Sequence, residues 1–129
     1  MFEHWMENWQ LLFSVMGNHD LFVSGTENFL DVFFRQNGMI LRRTGGRFII
    51  DLGAGEPVTI SMRHIWQGSS QYSDAHNLNR AATVGHTNDD LLIGGHFHPN
   101  ECRAHVRPLE GKVSKLVTVS SFKRIDNFA

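Results

Sequence analysis

The stretch "SVMGNHD", Ser14 to Asp20, joins an apolar run to a polar one. Five of the six residues in "LLFSVM", residues 11–16, are apolar, which predicts a buried strand. A glycine follows, and then an amide, an imidazole and a carboxylate stand side by side as Asn18, His19 and Asp20. Alone, these three residues are typical of a polar turn. The rest of the sequence decides between a turn and a functional site.

The composition is that of one globular domain, residues 1–129, with 41% hydrophobic and 19% charged residues. A net charge of -1 gives no overall attraction to nucleic acid or to an anionic membrane. The single cysteine, Cys102, excludes an internal disulfide. The start, "MFEHWMENWQ", lacks the apolar core of a signal peptide, and no apolar run approaches the ~20 residues of a membrane span. We therefore expect a cytoplasmic protein with no membrane partner.

The pattern of apolar and turn residues predicts an α/β domain of mixed strands and helices. Helical spacing of apolar residues favours a first helix within residues 2–9. "SGTE", Ser24 to Glu27, has the spacing of a capping box and predicts the start of a second helix. The apolar residues of this second helix, within 29–34, are assigned to the core. Gly38 is expected to end the helix in a left-handed conformation.

The second half of the sequence alternates strands with turn signals. Gly45-Gly46 predicts a hairpin between "MILRRT" and "RFIIDL". "PVTISMRH" and "DLLIGGHFHP" are strands that end on histidines, with a short helix between them near residues 74–83. A second hairpin is expected around Glu110-Gly111.

Three predicted strands end on side chains that bind metal ions. Asn18 follows the first, His64 the second, and His96 and His98 the third. Ligand sites in α/β domains collect at strand ends, where the sheet fixes their geometry. Imidazole suits zinc, iron and manganese, whereas an amide oxygen favours harder ions. Because no cluster of cysteines is present, the pattern indicates a catalytic metal centre and not a structural zinc site.

These residues resemble the calcineurin-like metallophosphoesterases. "GNHD", a histidine that ends a strand, and "GHFH" occur here in the order of the last three blocks of that family. "MRHIWQGSS", "NLNRAA" and "SFKRIDNFA" are similar to its phage and bacterial members, so the resemblance runs from about Phe13 to the end. It implies a partial αββα sandwich with mixed sheets, and a cytoplasmic location in a bacterial or phage-infected host cell.

The resemblance also implies roles for individual residues. Asn18, His64 and His96 would hold one ion and His98 the other. His19 would protonate the leaving group or stabilise the phosphoryl oxygens, while Asp20 orients it. The implied cofactors are two divalent ions, Mn, Fe, Zn or Ni. The implied substrate is a phosphomonoester or phosphodiester.

The first two blocks of the family, Asp-x-His and Gly-Asp-x-x-Asp, have no counterpart here, and the context of Asp51 matches neither. We therefore expect the chain to correspond to the central and C-terminal part of such a domain, with little activity unless another chain supplies the rest. The alternative is a metal-binding or interaction remnant without catalysis. A nuclease of the same superfamily ranks lower, because no basic groove interleaved with aromatic residues is evident.

The remaining basic residues have ordinary explanations. His4, His76, His86 and His105 are interpreted as structural or surface residues, with His76 the leading exception. Arg63 at a strand end is interpreted as a surface cation in preference to a phosphate ligand. The patch of Arg42, Arg43 and Arg47 is interpreted as part of a solvated hairpin.

Overall fold

The architecture is a mixed α/β arrangement, as the sequence predicts. The computed structural model describes residues 12–18, 29–68, 70–84, 87–96 and 100–119. The elements are β1 (Phe13–Val15), α1 (Phe29–Gln36), β2 (Ile40–Arg42), β3 (Gly45–Ile50), β4 (Val58–Arg63), α2 (His76–Thr83), β5 (Leu91–Gly94), β6 (Glu101–Arg107) and β7 (Lys112–Thr118). The predicted helix within residues 2–9 and the capping box at residues 24–27 lie outside the described residues.

Five strands form one sheet in the order β3-β4-β5-β7-β6. The central strands β4, β5 and β7 are parallel, while β3 and β6 are antiparallel edge strands. A separate parallel pair joins β1 to β2. Because β4 and β5 are parallel neighbours, their carboxyl ends meet at one edge of the sheet, and residues that follow them are brought together there.

Helix α2 covers one face of the five-stranded sheet. Leu78 and Ala82 lie four residues apart on the helix and are almost fully buried against Leu92 of β5 and Leu116 of β7. Trp66, from the loop after β4, completes this cluster. Full burial of each leucine side chain contributes roughly 1.5–3 kcal/mol. This cluster fixes the loop after β4 against the helix.

The two-stranded sheet contacts the opposite face. The rings of Phe13 in β1 and Phe48 in β3 stack with centroids 4.0 Å apart. Helix α1 ends as expected at Gly38, which has φ 66° and donates its N–H to Arg35 O, while Met39 N–H reaches Phe34 O. The predicted core stripe is only partly correct, because Phe34 is buried but Phe29 is 67% exposed.

The first predicted hairpin is wrong. Strand β2 pairs in parallel with β1, and β3 pairs antiparallel with β4, so the chain changes sheets between Arg42 and Gly45. The glycines are not turn residues but part of β3. An added Cβ on Gly45 would lie 2.5 Å from Cγ of Arg63, so close packing of two strands explains this glycine. The second hairpin, β6–β7, is confirmed, with Gly111 at φ 62° in its turn.

Two adjacent carboxylates hold the start of β5. Asp89 is 1% exposed and accepts hydrogen bonds from Arg47 of β3 and Ser61 of β4. Burial disfavours its charge, but these hydrogen bonds and the charge of Arg47 outweigh burial and hold the pKa of Asp89 below its ordinary value. Asp90 accepts from the N–H and hydroxyl of Thr59, which lowers the pKa of Asp90 to about 2.

In residues 12–18, 29–68, 70–84, 87–96 and 100–119, neither helix is long and apolar enough to cross a bilayer.

Candidate metal centre

Three of the predicted ligands converge at the carboxyl edge of the sheet. Nε2 of His64 lies 2.7 Å from Oδ1 of Asn18 and 3.1 Å from Nδ1 of His96. The two imidazole rings meet edge to face, with centroids 5.0 Å apart. Asn18 and His64 are 46 positions apart in the sequence, and His64 and His96 are 32 apart. The fold therefore assembles this group from three separate segments.

The backbone at the ends of β4 and β5 sets this geometry. His64 and His96 follow these parallel strands, and Gly95 N–H donates to the carbonyl of His64. His96 has φ 73°, the left-handed region that non-glycine residues rarely adopt. This conformation interrupts the extended strand. The chain thus departs from the extended strand conformation at His96.

The three facing atoms make a group of lone pairs with few protons to share. The amide oxygen of Asn18 only accepts hydrogen bonds, and a neutral imidazole has one ring nitrogen that donates and one that accepts. Nε2 of His64 can either donate its own proton to Asn18 or accept one from Nδ1 of His96, but not both. A cation in contact with all three atoms would accept a lone pair from each of them.

The three side chains lie close enough to share one ion. The separations around Nε2 of His64, 2.7 Å and 3.1 Å, are those of ordinary hydrogen bonds. Two imidazoles and one amide oxygen suit Mn, Fe, Zn or Ni.

This donor set is neutral within the described part of the chain. There, no three histidine, cysteine, aspartate or glutamate side chains group together, and the third member of this cluster is the amide of Asn18. Asp51, the acidic candidate from the sequence, is exposed and accepts from its neighbour Gly53 N–H in a local turn. It does not join the candidate centre.

The remaining predicted site residues are His19, Asp20 and His98. All three lie outside the described residues, so their positions are not part of this geometry. Their assigned roles stay predictions.

The two glycines before His96 differ in what they accommodate. An added Cβ on Gly94 would lie 2.9 Å from Cδ1 of Trp66, whose indole N–H donates to Ile93 O. An added Cβ on Gly95 would meet His64 Nδ1 at 3.5 Å, an ordinary contact. The lack of a side chain at Gly94 therefore leaves room for Trp66 of the core cluster. Of the two glycines, Gly95 is the one that borders the candidate centre.

Other predicted basic residues have structural partners. Nδ1 of His105 lies 3.0 Å from Oδ1 of Asn79, an amide and imidazole pair that packs α2 on β6. Arg43 pairs with Asp31, and Arg47 pairs with buried Asp89. The contact of His105 agrees with its structural interpretation. The interpretation of the arginine patch as part of a solvated hairpin is wrong, because β2 and β3 belong to different sheets and Arg47 pairs with a buried carboxylate.

Sequence reasoning missed the surroundings of Trp66. The indole contacts Gly94, and the guanidinium of Arg63 lies over its ring, 5.1 Å from the centroid. Arg80 of α2 extends over Gly68 in the same loop, where an added Cβ would lie 3.5 Å from Arg80 Cδ. Gly68 has a positive φ of 104°. The only sign of this conformation in the sequence is a single glycine within a polar segment.

A scan against protein-family models finds no match to this chain, and a search of the curated proteins finds no similar sequence.

Proposed function

We propose that this chain is a metal-dependent phosphoester hydrolase of the calcineurin-like kind. The observation that supports this most is the convergence of Asn18, His64 and His96, which the motif resemblance pairs as ligands of one ion. The mixed α/β architecture is compatible with part of an αββα sandwich.

In this proposal the chain's own residues have distinct tasks. Asn18, His64 and His96 hold one divalent ion, and His98 reaches a second. His19 donates a proton to the leaving-group oxygen, and Asp20 favours the charged form of its ring. When bound, the ions polarise the phosphoryl group and activate water, so that no protein nucleophile is needed. The rigid ends of β4 and β5 keep the two imidazoles in place for substrate.

A metal-binding domain without catalysis is the second candidate. The observation in its favour is the neutral donor set, one amide and two imidazoles, among the described residues. Two neighbouring cations repel one another strongly unless anionic ligands offset their charge. A chain with this donor set alone would hold one ion in preference to two.

One experiment separates the two candidates. The full chain and its His64→Ala, His19→Ala and His105→Ala variants are assayed with manganese on a chromogenic phosphodiester, and manganese binding is measured in parallel. A hydrolase requires the wild type to exceed His64→Ala and His19→Ala in rate, with His105→Ala unchanged. If the wild type binds manganese and His64→Ala does not, but all four proteins hydrolyse the substrate at the same rate, the result supports the binding domain. If manganese binding does not depend on His64, both candidates are refuted.

A further inference from the structure

A cleft separates the loop after β4 from helix α2, beside the core cluster. We call it the arginine cleft, and Arg63, Trp66, Gln67, Arg80 and Thr87 are among its lining residues. Its volume is about 420 Å³, within the range of ~300–1,000 Å³ typical of small-molecule sites. The cleft is therefore large enough for a phosphorylated small molecule.

Two arginines in the lining give this cleft its charge. Arg63 ends β4, and Arg80 belongs to α2. In the part of the chain that the structure describes, neither guanidinium forms an ion pair with a carboxylate, and no acidic residue lines the cleft. By contrast, Arg47 is neutralised by Asp89. Two unpaired positive charges in one concave site favour an anion between them.

One of the two arginine side chains is positioned without an anion. Arg63 lies over the ring of Trp66, which is buried and fixed by its hydrogen bond to Ile93 O. Arg80 passes close to Gly68, where an added Cβ would lie in ordinary contact with its Cδ and Nη1 atoms. Because Arg63 is already positioned, less conformational entropy of its side chain is lost when an anion binds.

We propose that the arginine cleft binds a phosphoryl or pyrophosphoryl group. The planar guanidinium donates two parallel hydrogen bonds to such an oxyanion, which makes arginine the preferred partner of phosphate. Gln67 and Thr87 add an amide and a hydroxyl to the same lining. The site is separate from the three side chains of the candidate metal centre, and it does not depend on the proposed hydrolase function.

The test is isothermal titration calorimetry of the full chain in EDTA, with inorganic pyrophosphate in one arm and phenyl phosphate in the other. Arg63→Gln and Arg80→Gln should each weaken binding at least ~10-fold, as expected for the loss of a charged hydrogen-bond donor. Stronger binding of pyrophosphate indicates a free inorganic anion as the natural ligand. Stronger binding of phenyl phosphate indicates an organic phosphoester as the natural ligand.

Two controls make the result decisive. Arg35→Gln removes an exposed arginine outside the cleft that forms no ion pair among the described residues, and it should bind like the wild type. The EDTA in the titration removes divalent ions, which separates this site from the metal centre. Arg80 is exposed on its helix, so Arg80→Gln keeps the test valid if Arg63→Gln fails to fold. The absence of wild-type binding, equal binding by both cleft variants and the wild type, or an equal loss in Arg35→Gln would overturn the proposal.

Discussion

Nε2 of His64 lies 2.7 Å from Oδ1 of Asn18, although 46 positions separate the two residues in the chain. One follows β1 of the small sheet and the other follows β4 of the large one. Nδ1 of His96 approaches the same Nε2 atom from β5, at 3.1 Å. This arrangement of an amide oxygen and two imidazole nitrogens agrees with the proposal that the three side chains hold one metal ion.

The charge of the amide position should control metal affinity. Asn18→Asp keeps the shape of the side chain but replaces a neutral oxygen with an anionic one. We expect manganese to bind at least ~10-fold more tightly, because hard cations prefer carboxylate ligands. Calorimetric titration with manganese measures the change.

The chain offers a matched control for this substitution. Asn79→Asp changes the same atom in the other amide and imidazole pair, beside His105, and should leave manganese affinity unchanged. Equal gains in both variants would show a general charge effect and not a ligand at Asn18.

The backbone of His96 should be strained in the absence of metal. Its φ of 73° costs a non-glycine residue roughly 1–2 kcal/mol relative to glycine. We therefore expect His96→Gly to be more stable than His96→Ala by about 1 kcal/mol in the metal-free state, measured by urea unfolding. Both variants should lose metal binding. If the alanine variant were as stable as the glycine variant, the strained turn at the end of β5 would be refuted.

Substitution of Gly94 should disturb the core, whereas substitution of Gly95 should not. In Gly94→Ala the new methyl group would lie 2.9 Å from Cδ1 of Trp66, closer than real Cβ contacts allow. We expect a loss of about 1–3 kcal/mol in the free energy of unfolding, as for other overpacked sites. Gly95→Ala, with its nearest contact at 3.5 Å, serves as the neighbouring control and should cost less than 1 kcal/mol. Equal losses would contradict the assigned packing.

Acid should destabilise the fold through Asp89 and Asp90. The pKa of Asp89 is below its ordinary value in the folded state, and the pKa of Asp90 is about 2. Between about pH 4 and pH 2 the unfolded chain therefore binds protons that the folded chain does not. The free energy of unfolding should fall as the pH falls through this window, and it should be fully restored above it.

Asp89→Asn tests the contribution of the buried carboxylate to this effect. Arg47 and Ser61 lose their anionic partner at a site that is 1% exposed. We expect about 1–3 kcal/mol lower stability at pH 7 and a shallower dependence on pH between 4 and 2. Asp74→Asn, at an exposed turn position, is the control that should retain the wild-type curve. An unchanged pH dependence in Asp89→Asn would contradict the role of this carboxylate.

The strands and the short helix that carry the candidate site were predictable because their signals are local. The apolar run before His64 and the run before Gly94 are long enough to predict β4 and β5, and the structure has both. Helix α2 begins within two residues of the expected position. The convergence of Asn18, His64 and His96 was expected from the resemblance, since strand periodicity alone does not say which strand ends meet.

The errors concern packing between distant segments. The residues on either side make Gly45-Gly46 look like a turn. The actual reason for the glycine at position 45 is its close contact with Arg63, which is remote in sequence. Similarly, the apolar stripe of α1 predicts burial of Phe29, yet among the residues that the structure describes Phe34 is buried and Phe29 is 67% exposed. The arginine cleft was not predicted because it depends on the approach of Arg80 to Gly68, which no local pattern encodes.

The central claim is that His64 and His96 are ligands of one metal ion. The most direct measurement is a long-range proton–nitrogen correlation spectrum of the histidine ring nitrogens, recorded on the labelled chain with and without zinc. We predict that Nε2 of His64 and Nδ1 of His96 shift together as zinc is added, while the ring nitrogens of His105 stay in place. Unchanged His64 and His96 signals at saturating zinc would contradict the account.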